Sequence, residues 1–164
     1  MKEKKIEITY KSVTPDELSA EDRELIEKAK EMTFKSYSPY SHFNVGAAIR
    51  MQDGSVVCGS NQENAAYPSG MCAERTACYQ ASALNPGMPM KKIAIAARNL
   101  GDFPKEEDKA PFQAKPISPC GACRQALLEY EHLYGRIEII LYGAAETYVF
   151  PSVGSLLPFS FTEF

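Results

Sequence analysis

Two short cysteine motifs, Cys72-Ala73-Glu74 and Pro119-Cys120-Gly121-Ala122-Cys123, lie far apart in the chain and read as the two halves of one metal site. This constrains the fold more than any other feature, because the chain has to bring position 72 and positions 120–123 to one point. Together the motifs offer three thiolates, one short of a closed four-ligand zinc cage. Zinc on three protein ligands keeps its fourth position open, the mark of a catalytic rather than a structural site. Glu74, two residues after the first cysteine, is placed to move protons and need not bind the metal.

Both motifs fall at predicted helix starts. Residues 72–84 contain no breaker before Asn85-Pro86-Gly87, and Cys120 to Tyr130 also reads as helix. Cys72 therefore opens one helix, and Cys120 with Cys123 occupies the first turn of another. Free backbone N–H groups and the positive end of a helix favour thiolates there. Arg75, next to Glu74, can hydrogen-bond ligand sulfurs and return positive charge to a site with three thiolates.

The rest of the chain supplies a scaffold for such a pair. Ile6, Ile8 and Tyr10 alternate with Lys5, Glu7 and Thr9, which predicts a half-buried strand over 5–10. Thr14-Pro15-Asp16-Glu17 has the form of a capping box, with a second helix start at Ser19 and a helix over 20–36. Phe43 to Met51 and Ser55 to Ser60 read as a hairpin turning at Asp53-Gly54. Ile93 to Ala97 reads as a strand buried on both faces, and Ile137 to Tyr142 as another. Residues 61–71 read as loop, 99–117 as an exposed loop or insertion, and 152–157 as a short helix. Strands and helices alternate through the middle, so the expected class is an α/β sheet with helices on its faces, in one domain over 1–164.

Composition narrows the function. The net charge is −3, and Lys/Arg cluster only in Met1-Lys2-Glu3-Lys4-Lys5, so no basic face for a nucleic acid is expected and a small-molecule substrate fits better. There is no signal-like apolar run at the N-terminus and no stretch of about 18 apolar residues for a membrane span. Five cysteines, an odd number, argue against a full disulfide framework and suit a cytoplasmic, reducing setting. Cys58 and Cys78 read as small core residues, and His42 and His132 as surface groups.

A lone Cys-x-x-Cys could equally be a redox pair or half of a structural zinc knuckle. A first ligand, a skipped residue, a Glu and a later Pro-Cys-x-x-Cys together make the zinc deaminase pattern, here with Cys in place of His as first ligand. The chain resembles the small zinc-dependent cytidine deaminases of nucleoside salvage, over about residues 20–161. Five motifs carry the resemblance in order: Ser38-Pro39-Tyr40-Ser41-His42-Phe43-Asn44-Val45-Gly46-Ala47-Ala48, Asn61-Gln62-Glu63-Asn64-Ala65-Ala66-Tyr67, the two metal motifs, and Leu156-Leu157-Pro158 with Phe161.

That resemblance implies a three-layer α/β/α sandwich with a central mixed sheet. It implies one Zn²⁺ per chain on Cys72, Cys120 and Cys123, with Glu74 as the proton carrier. Asn61 and Glu63 would bind ribose, Phe43 would pack at the pyrimidine, and backbone groups of Ala73 and Ser118 would orient the base. Tyr67 and Phe161 would reach across interfaces of a homotetramer with shared active sites. Two regions depart from the pattern, the N-terminal strand within 1–13 and the insertion 99–117. The competing functions are a deaminase of another aminopyrimidine nucleoside, resembling blasticidin deaminase, a polynucleotide editor, and a non-catalytic zinc module. The acidic balance disfavours the second. Glu74 disfavours the third, since structure alone has no need of a carboxylate there.

Overall fold

The structure is a computed structural model and describes residues 1–162. Its strands are β1 (Lys11–Val13), β2 (Asn44–Met51), β3 (Val56–Ser60), β4 (Met90–Arg98), β5 (Glu138–Leu141) and β6 (Thr147–Phe150). Its α-helices are α1 (Ala20–Met32), α2 (Ala73–Leu84) and α3 (Gly121–Tyr134). The strands form one mixed sheet in the order β1-β6-β5-β4-β2-β3. Only β4 and β5 pair in parallel. A parallel pair needs a long crossover, and the chain between them contains α3.

Strand alternation sorts the core into two layers. Val45, Ala47 and Ile49 of β2, Ile93, Ile95 and Ala97 of β4, and Ile139 and Leu141 of β5 pack with α2 and α3. The intervening Ala48, Ala94, Ala96 and Ile140 pack with Leu25, Ile26 and Ala29 of α1. The result is the expected α/β/α sandwich: α1 on one face, α2 and α3 on the other. Small residues set the helix distances. A Cβ at Gly46 would lie 2.0 Å from the Ala29 carbonyl oxygen of α1, and one at Gly59 would lie 2.4 Å from the Ala77 nitrogen of α2. Gly59 thereby lets α2, and the metal motif at its start, rest directly on β3.

The N-terminal expectation needs correction. Residues 5–10 are not a strand, and Ile6 and Ile8 are exposed. The edge strand is Lys11–Val13, paired antiparallel with β6. Tyr10 closes the corner instead, stacking on Phe150 at 4.9 Å and meeting Tyr148 edge-on at 5.0 Å. Both helix starts are used: Glu17 accepts from the Thr14 backbone N–H at 2.8 Å over a 3-10 turn (Pro15–Glu17), and Ser19 caps α1 through Asp22 N. The first helix ends at Met32 rather than Ser36, with a 3-10 turn over Thr33–Lys35. The third runs four residues beyond the expected Tyr130, to Tyr134, where Gly135 takes φ +97°. The strand β6 was not foreseen. Residues 99–117 are irregular, as expected, apart from a bridge between Phe112 and Arg98.

Candidate active site

Both metal motifs sit at helix N-termini. Cys72 is the N-cap of α2 and Cys120 the N-cap of α3, and neither side chain caps its own helix. Cys123 follows in the first turn of α3, fully buried. The local chain is fixed by side-chain bonds to backbone: Thr76 Oγ1 donates to the Cys72 carbonyl at 3.1 Å, and Arg124 donates to the carbonyls of Pro119 and Leu156 at 2.8 and 2.9 Å. The two helix starts thus deliver the three sulfurs to one place, all within 4.8 Å of one another.

Their spacing fits a metal. Cys72 and Cys120 sulfurs are 3.8 Å apart and those of Cys120 and Cys123 3.4 Å. Corners of a tetrahedron with Zn–S near 2.3 Å are about 3.8 Å apart. Soft thiolates at that spacing suit zinc, and the protein's group is one zinc ion per chain. No histidine or fourth cysteine joins the cluster among the described residues, so one position stays open. Without metal the thiols share protons. Hydrogen bonding from Cys123 and the Arg75 guanidinium draw the Cys72 thiol down to about 5, against the effect of burial. The same hydrogen bond with Cys72, and burial, push the Cys123 thiol up.

Arg75 Nη2 lies 3.6 Å from the Cys72 sulfur, as expected. Arg75→Gln is therefore expected to lower activity by about 10- to 100-fold and to speed zinc loss. Steady-state rates and zinc retained after dialysis measure both. A variant unchanged in rate and in zinc would leave Arg75 as a helix surface residue only.

Glu74 is the second residue of α2 and is 4% exposed. Burial raises its pKa, and the charge of Cys72 adds to the rise, so the carboxyl exchanges a proton more readily near neutral pH than an exposed one. It is in contact with Cys123, and a cavity of about 480 Å³ opens beside Cys72 and Arg75. Tyr40, Asn61, Glu63, Tyr67, Cys72 and Arg75 are among the cavity walls. That volume suits a small organic ligand.

The remaining expected residues divide. Glu63 is held by the amides of Tyr40 and Ser41, at 2.9 and 3.2 Å, and by the Ser41 hydroxyl. Burial raises its pKa, and these hydrogen bonds outweigh that and hold it below the usual carboxylate range. Asn61 is engaged with backbone: its Oδ1 accepts from Val45 N and its Nδ2 donates to the Phe43 carbonyl, both at 2.8 Å. It fixes the start of β2 and hence the backbone of Phe43, which packs on the main core. Ala73 is buried at the first turn of α2, and Ser118 is exposed beside Pro119. The backbone of Phe161 is clamped by Gln125 of α3, whose Nε2 donates to its carbonyl at 2.6 Å, while the residue as a whole is 66% exposed. Tyr67 is 79% exposed at the cavity rim.

Sequence reasoning missed Ser41 as the grip on Glu63. It also missed Asn44, whose amide ties Ser36, Ser38, Leu100 and Gly101 together at the start of β2. Both lie inside the Ser38–Ala48 motif, which was the available signal. Cys78 is core, as expected, its thiol pushed up to about 12 by burial, whereas Cys58 is only half-buried. His42 is a surface group paired with Asp102 and sits at φ 55°.

Comparison with known proteins agrees with this geometry. Residues 19–136 match the cytidine and deoxycytidylate deaminase zinc-binding region. The cytidine deaminase of Sporosarcina psychrophila is 35% identical over 140 residues, covering 85% of this chain and 90% of that protein. The crystal structure of cytidine deaminase from Burkholderia pseudomallei aligns with a TM-score of 0.67 at 39% identity, over 84% of this chain and 97% of its own. That from Mycobacterium tuberculosis aligns with a TM-score of 0.65 at 29% identity, over 88% of this chain and all of its own. With three thiols converging at two helix starts and a buried glutamate beside them, the chain is an enzyme of the zinc-binding cytidine deaminase family.

Proposed function

We propose that the chain hydrolyses cytidine and 2′-deoxycytidine to the uridines and ammonia, as a cytoplasmic enzyme of nucleoside salvage. The observation that carries this is the buried Glu74 carboxyl set against the Cys72/Cys120/Cys123 cluster, whose Cys72 lines a nucleoside-sized cavity. Bound zinc supplies the Lewis acidity that makes water a nucleophile at neutral pH. Glu74 would carry one proton of the attacking water to the ring nitrogen N3, and a second, from the hydroxyl added at C4, to the amine as the C4–N bond breaks. Asn61 and Glu63 meet the ribose, with one Asn61 amide hydrogen left after its bond to Phe43. Phe43 packs at the ring, and backbone groups of Ala73 and Ser118 orient the base. All five cysteines are free thiols, which suits a reducing compartment. Among the described residues no helix is long and apolar enough to cross a membrane.

The test is a panel assay of the zinc-loaded protein on cytidine, 2′-deoxycytidine, blasticidin S and cytidine monophosphate, with ammonia release as readout. Turnover of the two nucleosides supports the reading. Turnover confined to blasticidin S, or to the phosphorylated substrate, rejects it.

The active form is proposed to be a homotetramer with shared sites. The exposed rings of Tyr67, Phe159 and Phe161 support it, because large apolar surfaces left open on one chain suit coverage by a neighbour. Phe161→Ala is expected to stay tetrameric in sedimentation and to raise KM by about tenfold, the loss of one ring stacked on a substrate. A wild-type monomer with full activity would return Phe161 to a purely structural role.

A further inference from the structure

A second cavity, of about 410 Å³, lies away from the metal motifs, where the 99–117 segment covers the end of β4 and the 3-10 turn after α1. Its walls include Phe34, Arg98, Glu106, Asp108 and Lys109. Arg98, the last residue of β4, is 6% exposed. Its Nε donates to Thr33 Oγ1 at 2.9 Å. Its guanidinium is sandwiched between Phe34 and Phe112, 4.1 and 4.4 Å from the ring centres. The backbone bridge between Arg98 and Phe112 holds the second ring in place.

What this buried cation lacks is an anion. Among the described residues no carboxylate pairs with Arg98. Among the described residues its two terminal amines donate to no protein group, and neither is among the polar atoms sealed from solvent without a partner. They are therefore not sealed from solvent, on a residue that lines the cavity. Ring faces compensate a buried cation only in part. A charge taken out of water calls for a paired, hydrogen-bonding counter-charge. Neither acid in the wall pairs with Arg98 among the described residues. Glu106 pairs with Lys35 at 3.3 Å, and Asp108 accepts from the Lys105 amide at 2.7 Å. Lys109 is exposed and forms no ion pair among the described residues. Arg98 and Lys109 are the cations of the wall without an ion pair, and Asp108 is an acid of the wall that pairs with neither.

We propose that Arg98 and Lys109 form a second binding site, distinct from the catalytic cleft, for a small oxyanion of the phosphate or carboxylate class. The planar guanidinium presents its two free amines as a fork, the geometry that recognises such oxygens in pairs. The Phe34 and Phe112 rings fix the plane of that fork, so the site is formed before the anion arrives. Phe112 and Lys109 both belong to the 99–117 segment, and this gives that segment a role as one wall of the site.

The experiment titrates the zinc-loaded full chain with inorganic phosphate and, separately, with acetate, at ionic strength held constant with chloride. Calorimetry and melting temperature are the readouts. A saturable transition with one equivalent is expected. Phosphate alone assigns the phosphate class, acetate alone the carboxylate class, and both assign the shared site. Lys109→Ala is expected to weaken binding about threefold, and Arg98→Met by about tenfold or more. Lys109 is exposed, so its variant keeps the test alive if Arg98→Met fails to fold. The proposal is overturned if neither anion saturates, or if Lys109→Ala binds as tightly as wild type, as it would if the anion sat on the zinc.

Discussion

Glu74→Gln is expected to fold and hold its zinc while losing about 10²- to 10⁴-fold of turnover. Gln has the same shape and stays within the pocket that leaves Glu74 4% exposed. It cannot take a proton from water or return one to the ring and the leaving amine. Burial disfavours the charged carboxylate by more than the attraction of Arg75 favours it, so replacing it with a neutral amide removes no net charge stabilisation. The melting temperature should therefore stay level or rise. This separates a chemical role from a packing role, since a mutation that merely disturbed packing would lower both stability and rate. The checks are kcat on cytidine, zinc per chain and thermal unfolding. More than about a tenth of the wild-type rate would end the proton-carrier assignment.

The parts of this site that were legible in the sequence are local ones. A cysteine at a helix start followed by Glu at the second position is written in consecutive residues, and so is Pro-Cys-x-x-Cys at another start. The α/β class was legible because β2, β4 and β5 carry apolar runs between helices. What failed depends on partners elsewhere in the chain. Ile6, Ile8 and Tyr10 alternate like a strand, yet β6 pairs with the N-terminal segment only at Lys11 to Val13, and alternation does not say where pairing begins. β6 itself has four residues, Thr147 to Phe150, too few to show a period of two. Its strand character comes from having β5 on one side and β1 on the other. Ser41 grips Glu63 across 22 positions, and Arg98 meets Thr33 across 65. Contacts of that span leave no mark in spacing. Asn61 shows the same limit, because its motif pointed to a ligand while its amide also braces β2.

Cys123→Ser is expected to abolish zinc retention and bring activity below detection. Cys123 is the most enclosed of the three ligands, fully buried at the first turn of α3, and a serine hydroxyl is a far poorer zinc donor than a thiolate. Two sulfurs would remain, and no histidine or further cysteine stands close enough to replace the third among the described residues. Loss of metal also removes stability, since the cluster joins the starts of α2 and α3. A metal present at 1,000 times its dissociation constant stabilises the native state by about 4 kcal/mol. The variant should unfold at the temperature of the chelator-treated wild type, and adding chelator should not lower it further. Wild-type zinc affinity should already fall as pH drops through neutral, because the Cys123 thiol, pushed up, must release a proton to bind, and more steeply below about 5, where Cys72 also takes up its proton. Cys78→Ala is the matched control. That thiol is also buried on α2, but burial pushes it up to about 12 and it belongs to the core behind the sheet face. It should keep one zinc per chain and lose only packing. Metal analysis after dialysis decides the matter: a full equivalent in Cys123→Ser, or none in Cys78→Ala, would mean that the ligand set is wrong.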